Sequence, residues 1–177
     1  EASGEAVLSH QSAAAVLGLP LLRPDLRRIH VLNGRPTGGN VQRGRHIHVG
    51  VFDDDVVTVD GAAVTDLART AVDVAVAGTF AQALAVFDAA LARGVDREAF
   101  AEVLDRRRRT GKGRTRRALA FADPLSANPG ESWGRAQLIE AGLPVPRLQV
   151  RYVLPDGREA FVDYDWEGSL VGEFDGF

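Results

Sequence analysis

The sequence predicts an α/β chain in two unequal parts: a body of helices with a small antiparallel sheet, then a helix followed by three strands. Three observations carry this. The first sixty residues hold short β-branched runs between turn dipeptides, and the next sixty repeat their apolar residues at three- and four-residue steps. From Gly130 onward the order is helix, strand, strand, strand. Asp123 to Pro129, rich in proline, serine and asparagine, separates the parts, so residues 1–122 read as the body, 123–129 as a linker and 130–177 as a second module.

Each element has a local cause. Ser9 stands before His10 to Leu17, and Gly18 and Pro20 follow, the signature of a capped helix with a glycine stop. Ile29 to Leu32, Arg45 to Val51 and Val56 to Val59 alternate as strands, bounded by Asn33-Gly34, Gly38-Gly39-Asn40 and Asp53-Asp54-Asp55. Thr65 is placed to cap a helix reaching about Ala77. After Gly78-Thr79 a second helix, Phe80 to Arg93, spaces Phe80, Leu84, Phe87 and Leu91 on one face, and Gly94 ends it. Asp96 caps a third helix that runs into a block of arginines. Thr110 to Gly113 breaks that helix, and Thr115 to Phe121 forms another short one. In the second module a helix from Glu131 to Ala141 is stopped by Gly142 and Pro144. Strands follow over Leu148–Leu154, Glu159–Trp166 and Leu170–Asp175, the first two joined by Pro155-Asp156-Gly157.

Composition narrows the function. No apolar run approaches the roughly 20 residues that span a bilayer, and the first residues lack the basic start of a signal peptide, so a cytoplasmic protein without a membrane role is expected. With no cysteine there are no disulfides, thiolate nucleophiles or cysteine-bound zinc. The absence of methionine and a last strand stopped in mid-pattern suggest a piece of a longer chain. The net charge of −3 conceals a strong asymmetry. Arg106, Arg107, Arg108, Arg109, Lys112, Arg114, Arg116 and Arg117 crowd one strip, whereas residues 130–177 hold nine acids against four arginines. Such a strip is either a solvated helix end, suited to the C-terminal dipole, or a set of phosphate contacts to nucleic acid.

The acids of the second module are patterned. In extended chain Phe161, Asp163 and Asp165 face one way, and Val171, Glu173 and Asp175 share a face of the next strand. A three-residue loop, Glu167-Gly168-Ser169, pairs Trp166 with Leu170 and puts Asp163 opposite Glu173. A two-residue loop puts them on opposite faces. Facing carboxylates repel unless a cation, a proton or bulk water intervenes. The set is therefore either the solvent face of a hairpin or a site for Mg²⁺ (or Mn²⁺), a cation that takes carboxylates, retains waters and binds phosphate oxygens.

Gly130-Glu131-Ser132, Arg135, Gly142-Leu143-Pro144-x-Pro146, Gln149, Val162-Asp163-Tyr164 and Val171-Gly172-Glu173-Phe174-Asp175-Gly176 resemble the domain of unknown function 559, which is similar to very-short-patch-repair endonucleases of the PD-(D/E)XK group. The resemblance implies an incomplete restriction-endonuclease-like module and phosphodiester hydrolysis in DNA. It implies Glu131, Asp163 and Glu173 as metal-binding and catalytic acids, with Asp175 beside them. The family pattern places lysine two residues after the last acid. Asp175 stands there, a departure that leaves the charge-stabilising role to a basic residue further on.

Ser9-His10-x-Ser12-Ala13-Ala14, Gly18-Leu19-Pro20, Asp60-Gly61-x-x-Val64-Thr65 and Ala68-Arg69-Thr70-x-x-Asp73 resemble the body of actinobacterial abortive-infection type IV antitoxins. In such proteins a DNA-reading winged helix-turn-helix often lies upstream.

Two functions follow from these features. One is a metal-dependent nuclease-like protein that contacts DNA through Arg106, Arg107, Arg109, Lys112, Arg114, Arg116 and Arg117. The other is a non-catalytic DNA-binding regulator or antitoxin with a toxin or other protein partner. A protein-interaction module is a third. Elsewhere, Arg69, Thr70 and Asp73 have the spacing of a local salt bridge or cap. His46 and His48 share a strand face, as packing residues or as two imidazoles for a metal. Trp133 and Trp166 read as core or sheet cover.

Overall fold

The computed structural model describes residues 6–51, 54–106 and 111–175. Its element order is β1 Val7–Leu8, α1 His10–Val16, β2 Ile29–Leu32, β3 Asn40–Gln42, β4 Arg45–His48, β5 Val56–Val59, β6 Ala62–Thr65, α2 Leu67–Ala77, α3 Phe80–Ala92, α4 Arg97–Asp105, α5 Lys112–Phe121, α6 Pro129–Glu140, β7 Arg147–Val153, β8 Glu159–Trp166 and β9 Leu170–Gly172. The expected α/β class holds. The first sheet is larger than expected and mixed, six strands in the order β3-β4-β2-β1-β6-β5. Its β2–β4 and β1–β6 pairs are parallel, while the β3–β4, β1–β2 and β5–β6 pairs are antiparallel. Gly44 at φ 76° turns β3 into β4, and Gly61 at φ 81° turns β5 into β6, conformations open to glycine at little steric cost.

Side chains cap α2, α3 and α6, whereas Ser9 and Asp96, the expected caps, precede α1 and α4 without a side-chain cap bond. Asp66, rather than the expected Thr65, caps α2 by accepting a hydrogen bond from the Arg69 N–H. Thr65 instead lies buried at the end of β6, where its carbonyl accepts from the Thr70 hydroxyl at 2.9 Å. Thr79 and Gln82 form a reciprocal capping box on α3. α5 starts at Lys112, three residues earlier than expected, because Gly111 in the left-handed region lets the helix begin inside the stretch read as a break.

The helices pack into one core. Phe87 and Phe100 are fully buried with their rings 5.0 Å apart, joined by Leu84, Leu104, Val72 and Phe80. Burying one such side chain is worth about 1.5–3 kcal/mol. Ala136 and Ile139 of α6 belong to the same cluster, so the helix beyond the linker residues completes the core of the body. A buried polar clamp holds it there. Arg135 donates to both carboxylate oxygens of Asp88 on α3 at 2.8 and 2.7 Å, Ser132 Oγ donates to Asp88 at 2.7 Å, and the Asp123 backbone N–H donates at 2.7 Å. Arg135 and Asp88 are 2% and 1% exposed, so neither reaches water that could replace the other. The second sheet is the antiparallel series β7-β8-β9.

Candidate functional site

Where α6 meets the second sheet, glycines set the distance. A Cβ on Gly130 would stand 2.3 Å from the Phe174 ring, and one on Gly134 would stand 2.7 Å from the Tyr164 hydroxyl. With glycine at both positions the sheet closes on the helix, and Tyr164 Oη donates to the Glu131 carbonyl at 2.6 Å. Asn128 caps α6 through its side-chain oxygen, accepting from the Gly130 and Glu131 N–H groups at 2.8 and 3.1 Å. Glu131 reaches back in turn, accepting from the Ala127 N–H at 2.8 Å and from Asn128 Nδ2 at 2.7 Å. Its carboxylate is thus fixed by the helix end and only 5% exposed.

The β8–β9 loop has the three-residue form. Trp166 pairs with Leu170, Asp165 with Val171 and Tyr164 with Gly172. One step on, the Phe174 N–H donates to Asp163 Oδ2 at 2.8 Å, so Asp163 and Glu173 face each other. Gln149 of β7 closes the group, its Nε2 lying 2.9 Å from Asp163 Oδ1 and 3.4 Å from Glu131 Oε2. Gln149 adopts φ 49°, a left-handed backbone uncommon in a strand, and it interrupts the β7–β8 ladder opposite Asp163. Three expected acids, Glu131, Asp163 and Glu173, therefore converge with Gln149. Asp175 lies exposed at the rim. Asp165, on the same strand as Asp163, is taken up structurally by Arg147, by the Tyr152 hydroxyl at 2.6 Å and by the Gly168 N–H at 3.0 Å.

The electrostatics of the group are those of gathered negative charge. Burial, then the Asp163 charge, raises the Glu131 carboxyl above its ordinary range. Burial and Asp163 likewise raise Glu173, with Asp175 adding to the effect. Among the described residues none of the three acids is ion-paired with an arginine, lysine or histidine.

The basic strip lies at the α4–α5 corner. Arg107 and Arg109, with Arg108, are outside the described residues. Arg106, Arg114, Arg116 and Arg117 are exposed. Their contacts are local: Lys112 Nζ to the Asp105 carbonyl at 3.0 Å, Arg114 to the Val76 carbonyl at 3.3 Å, Arg116 to the Asp105 carboxylate at 2.7 Å, and Arg117 over the Phe80 ring at 4.7 Å. The one exposed ion pair among these contacts, Arg116 with Asp105, is of a weak kind.

Arg69 and Asp73 form the expected i,i+4 ion pair at 3.2 Å, which Asp55 extends by accepting from Arg69 at 2.6 Å. Trp166 covers the sheet, donating to the Pro144 carbonyl at 2.8 Å, and Trp133 packs edge-on against Phe174. His46 and His48 share a sheet face as expected, their rings stacked at 3.8 Å. The Asp88–Ser132–Arg135 clamp was not foreseen from the sequence. Only the polar Asp88 within the apolar run of α3 hints at it. No helix among the described residues is long and apolar enough to cross a membrane.

The family model described as "AbiEi antitoxin C-terminal domain" matches residues 5–121. Two curated proteins of Mycobacterium tuberculosis, uncharacterized protein MT2308 of strain CDC 1551 / Oshkosh and uncharacterized protein Rv2248 of strain ATCC 25618 / H37Rv, are each 34% identical over 179 residues. The match covers 97% of this chain and 63% of each relative, so the chain spans somewhat under two-thirds of their length. The crystal structure of the RV2827C protein from Mycobacterium tuberculosis aligns with a TM-score of 0.48 at 16% identity, covering 87% of this chain and 61% of that one.

Proposed function

The chain belongs to the AbiEi antitoxin C-terminal domain family, and from that premise we propose that it serves as the antitoxin of a toxin–antitoxin pair, a regulator that engages a protein toxin or DNA. The observation that carries this reading is the family match over residues 5–121, which embraces the whole six-stranded sheet and α1 to α5. The basic corner between α4 and α5 gives the same body a surface suited to phosphate contact. The test is co-expression in a bacterial host with the toxin of the same pair. Growth arrested by the toxin should resume when the chain is present. Arrest that persists beside abundant, folded chain rejects the antitoxin reading.

A second reading is favoured by one observation, the convergence of Glu131, Gln149, Asp163 and Glu173 between α6 and the second sheet. In this reading residues 130–177 are an endonuclease-like module resembling the domain of unknown function 559, docked by α6 onto the antitoxin-like body. Asp163 and Glu173, with Glu131, would hold Mg²⁺ or Mn²⁺. That ion would supply charge neutralisation at a scissile phosphate and a lowered pKa for an attacking water. The chain's own residues fix the geometry: Gln149 and the Phe174 N–H orient Asp163, and the α6 cap orients Glu131. Because Asp175 occupies the position of the pattern's lysine, activity calls for a basic residue supplied from elsewhere in the protein.

The test is cleavage of DNA by the full-length protein with Mg²⁺ or Mn²⁺. Asp163→Asn should abolish nicking and leave DNA binding unchanged, since asparagine keeps the shape and loses the charge that holds the ion. Tight DNA binding with no metal-dependent cleavage, indifferent to Asp163→Asn, would leave the module as a binding platform of the regulator.

A further inference from the structure

All four histidines of the sequence gather at one place in the body, brought together from three different elements. His10 opens α1, His30 lies on β2, and His46 and His48 lie on β4, with the parallel register setting His30 beside His46. The His30 Nδ1 and His48 Nε2 atoms are 2.9 Å apart, and the His10 ring stacks on that of His48 at 3.6 Å. His10, His30 and His48 each offer a ring nitrogen within 4.8 Å of the others. An N···N approach of 2.9 Å is a hydrogen bond only if one nitrogen has a lone pair and the other a proton, so this pair of rings carries at most one proton between the facing atoms.

Three further features of the same place point to a ligand. The imidazoles open on a cavity of about 110 Å³ whose other walls include Leu21, Leu22 and Val74. Gln11 lines this cavity too, and its side-chain oxygen is buried with no hydrogen-bond partner among the described residues. A buried unsatisfied acceptor costs about 1–3 kcal/mol. Behind the cluster, the Asp73 carboxylate lies 3.9 Å from His10 Nδ1, with Ser9 Oγ at 3.1 Å from the same nitrogen. Ser9 Oγ is the group that orients the ring from behind, and the Asp73 carboxylate, shared with Arg69, adds negative charge that strengthens the imidazole as a donor. His10 also holds φ 50°, an unfavourable backbone for a residue with a side chain, fixed by the hydrogen bond from the Ser9 N–H to the His30 carbonyl and by that from the His30 N–H to Ser12 Oγ.

We propose that His10, His30 and His48 form a binding site for one divalent transition-metal ion of the zinc class. Nitrogen ligands in a zinc shell lie about 2.0–2.1 Å from the metal and hence about 3.4 Å from each other in a tetrahedron. Because imidazole lone pairs lie in the ring plane, binding requires the stacked His10 and His48 rings, 14° apart, to turn until both aim at the ion. The cation takes the place of the proton between His30 and His48, and that proton leaves to solvent. The fourth position faces the cavity, where a metal-bound water donates to Gln11 Oε1 and satisfies it. The ion ties α1 to β2 and β4. It is a nitrogen-donor site in the antitoxin-like body, separate in residues and in ligand chemistry from the carboxylate group of the second module.

The experiment uses the full chain without a histidine tag, stripped with chelator, then titrated with ZnCl₂ by calorimetry and with CoCl₂ by visible absorption. The expected result is saturable 1:1 uptake of zinc with micromolar or tighter affinity and the intense visible bands of low-symmetry, four-coordinate cobalt. His30→Gln and His48→Gln should each weaken uptake by about 100-fold, and Asp73→Asn by about tenfold or more. His46→Gln, whose ring lies outside the triad, should stay within about threefold. Absence of 1:1 uptake, or uptake retained in the His30→Gln/His48→Gln double variant, overturns the proposal. Where those variants do not fold, proton NMR of the cobalt-loaded wild-type chain decides. Three hyperfine-shifted, exchangeable imidazole N–H signals are expected, and none of them rejects the site.

Discussion

Glu173 faces Asp163 across two antiparallel strands, and its carboxyl, like that of Glu131, is pushed above the usual range. A carboxyl whose folded value is raised binds its proton more tightly folded than unfolded. The stability it contributes is fully present below the unfolded value near pH 4 and is lost as pH rises through the folded value. Glu173→Gln removes one of the crowded charges. In metal-free buffer it should therefore melt higher than wild type at pH 7, and the two should converge toward pH 4. Thermal melts across that interval check this, and a variant melting below wild type at pH 7 would refute the repulsion argument. Asp88 is a different kind of residue. Its charge is buried with its partners, so Asp88→Ala should cost about 3–5 kcal/mol in denaturant unfolding by stranding Arg135. The acids of the site were legible in the sequence because strand alternation alone puts Asp163 and Glu173 on common faces. Asp88 was hardly legible, since its partner lies 47 positions away and no local period connects them.

Among the elements, the β8–β9 connection decides whether the acids meet. Deleting Gly168 shortens the loop to two residues and, because side chains alternate with period two, rotates Glu173 to the opposite face of the sheet. The deletion should bring the Glu173 carboxyl back toward its ordinary value, read by carbon-13 NMR titration. A Glu173 titration unchanged by the deletion would show that the register is held by something other than the loop. β8 was readable to its last residue because Glu159 to Trp166 is long and bounded on both sides by turn residues. β1, β3 and β6 were not. Two to four residues carry no measurable period, Ala62 and Ala63 lack β-branching, and only pairing with distant strands makes these segments extended. The mixed character of the sheet was hidden for the same reason, because β3 at the sheet edge lies in sequence between β2 and β4, which pair in parallel, and β1 stands between β2 and β6.

At the scale of the whole molecule, charge is partitioned. The body presents the basic α4–α5 corner and the second module presents its acids. If the corner engages phosphate, replacing Arg106, Arg107, Arg114 and Arg116 with alanine should weaken binding to all DNA sequences alike and flatten the dependence of log K on log salt, by about one unit for each phosphate no longer neutralised. An unchanged slope, measured by fluorescence anisotropy at several salt concentrations, would return these arginines to a solvated helix end.

The Asp88–Arg135 clamp also imposes a timetable. During synthesis α3 leaves the ribosome well before Ser132 and Arg135 exist, so the inner face of α3 cannot be sealed while Asp88 has no partner to neutralise it. The helical layer is therefore expected to close late, when α6 arrives and supplies both the salt bridge and the apolar packing of Ala136 and Ile139. Ribosome-bound chains stalled with residue 125 just clear of the exit tunnel should be cut readily by protease within α3, and chains stalled with residue 145 clear should resist. Equal resistance at both lengths would mean that the layer closes without its last helix.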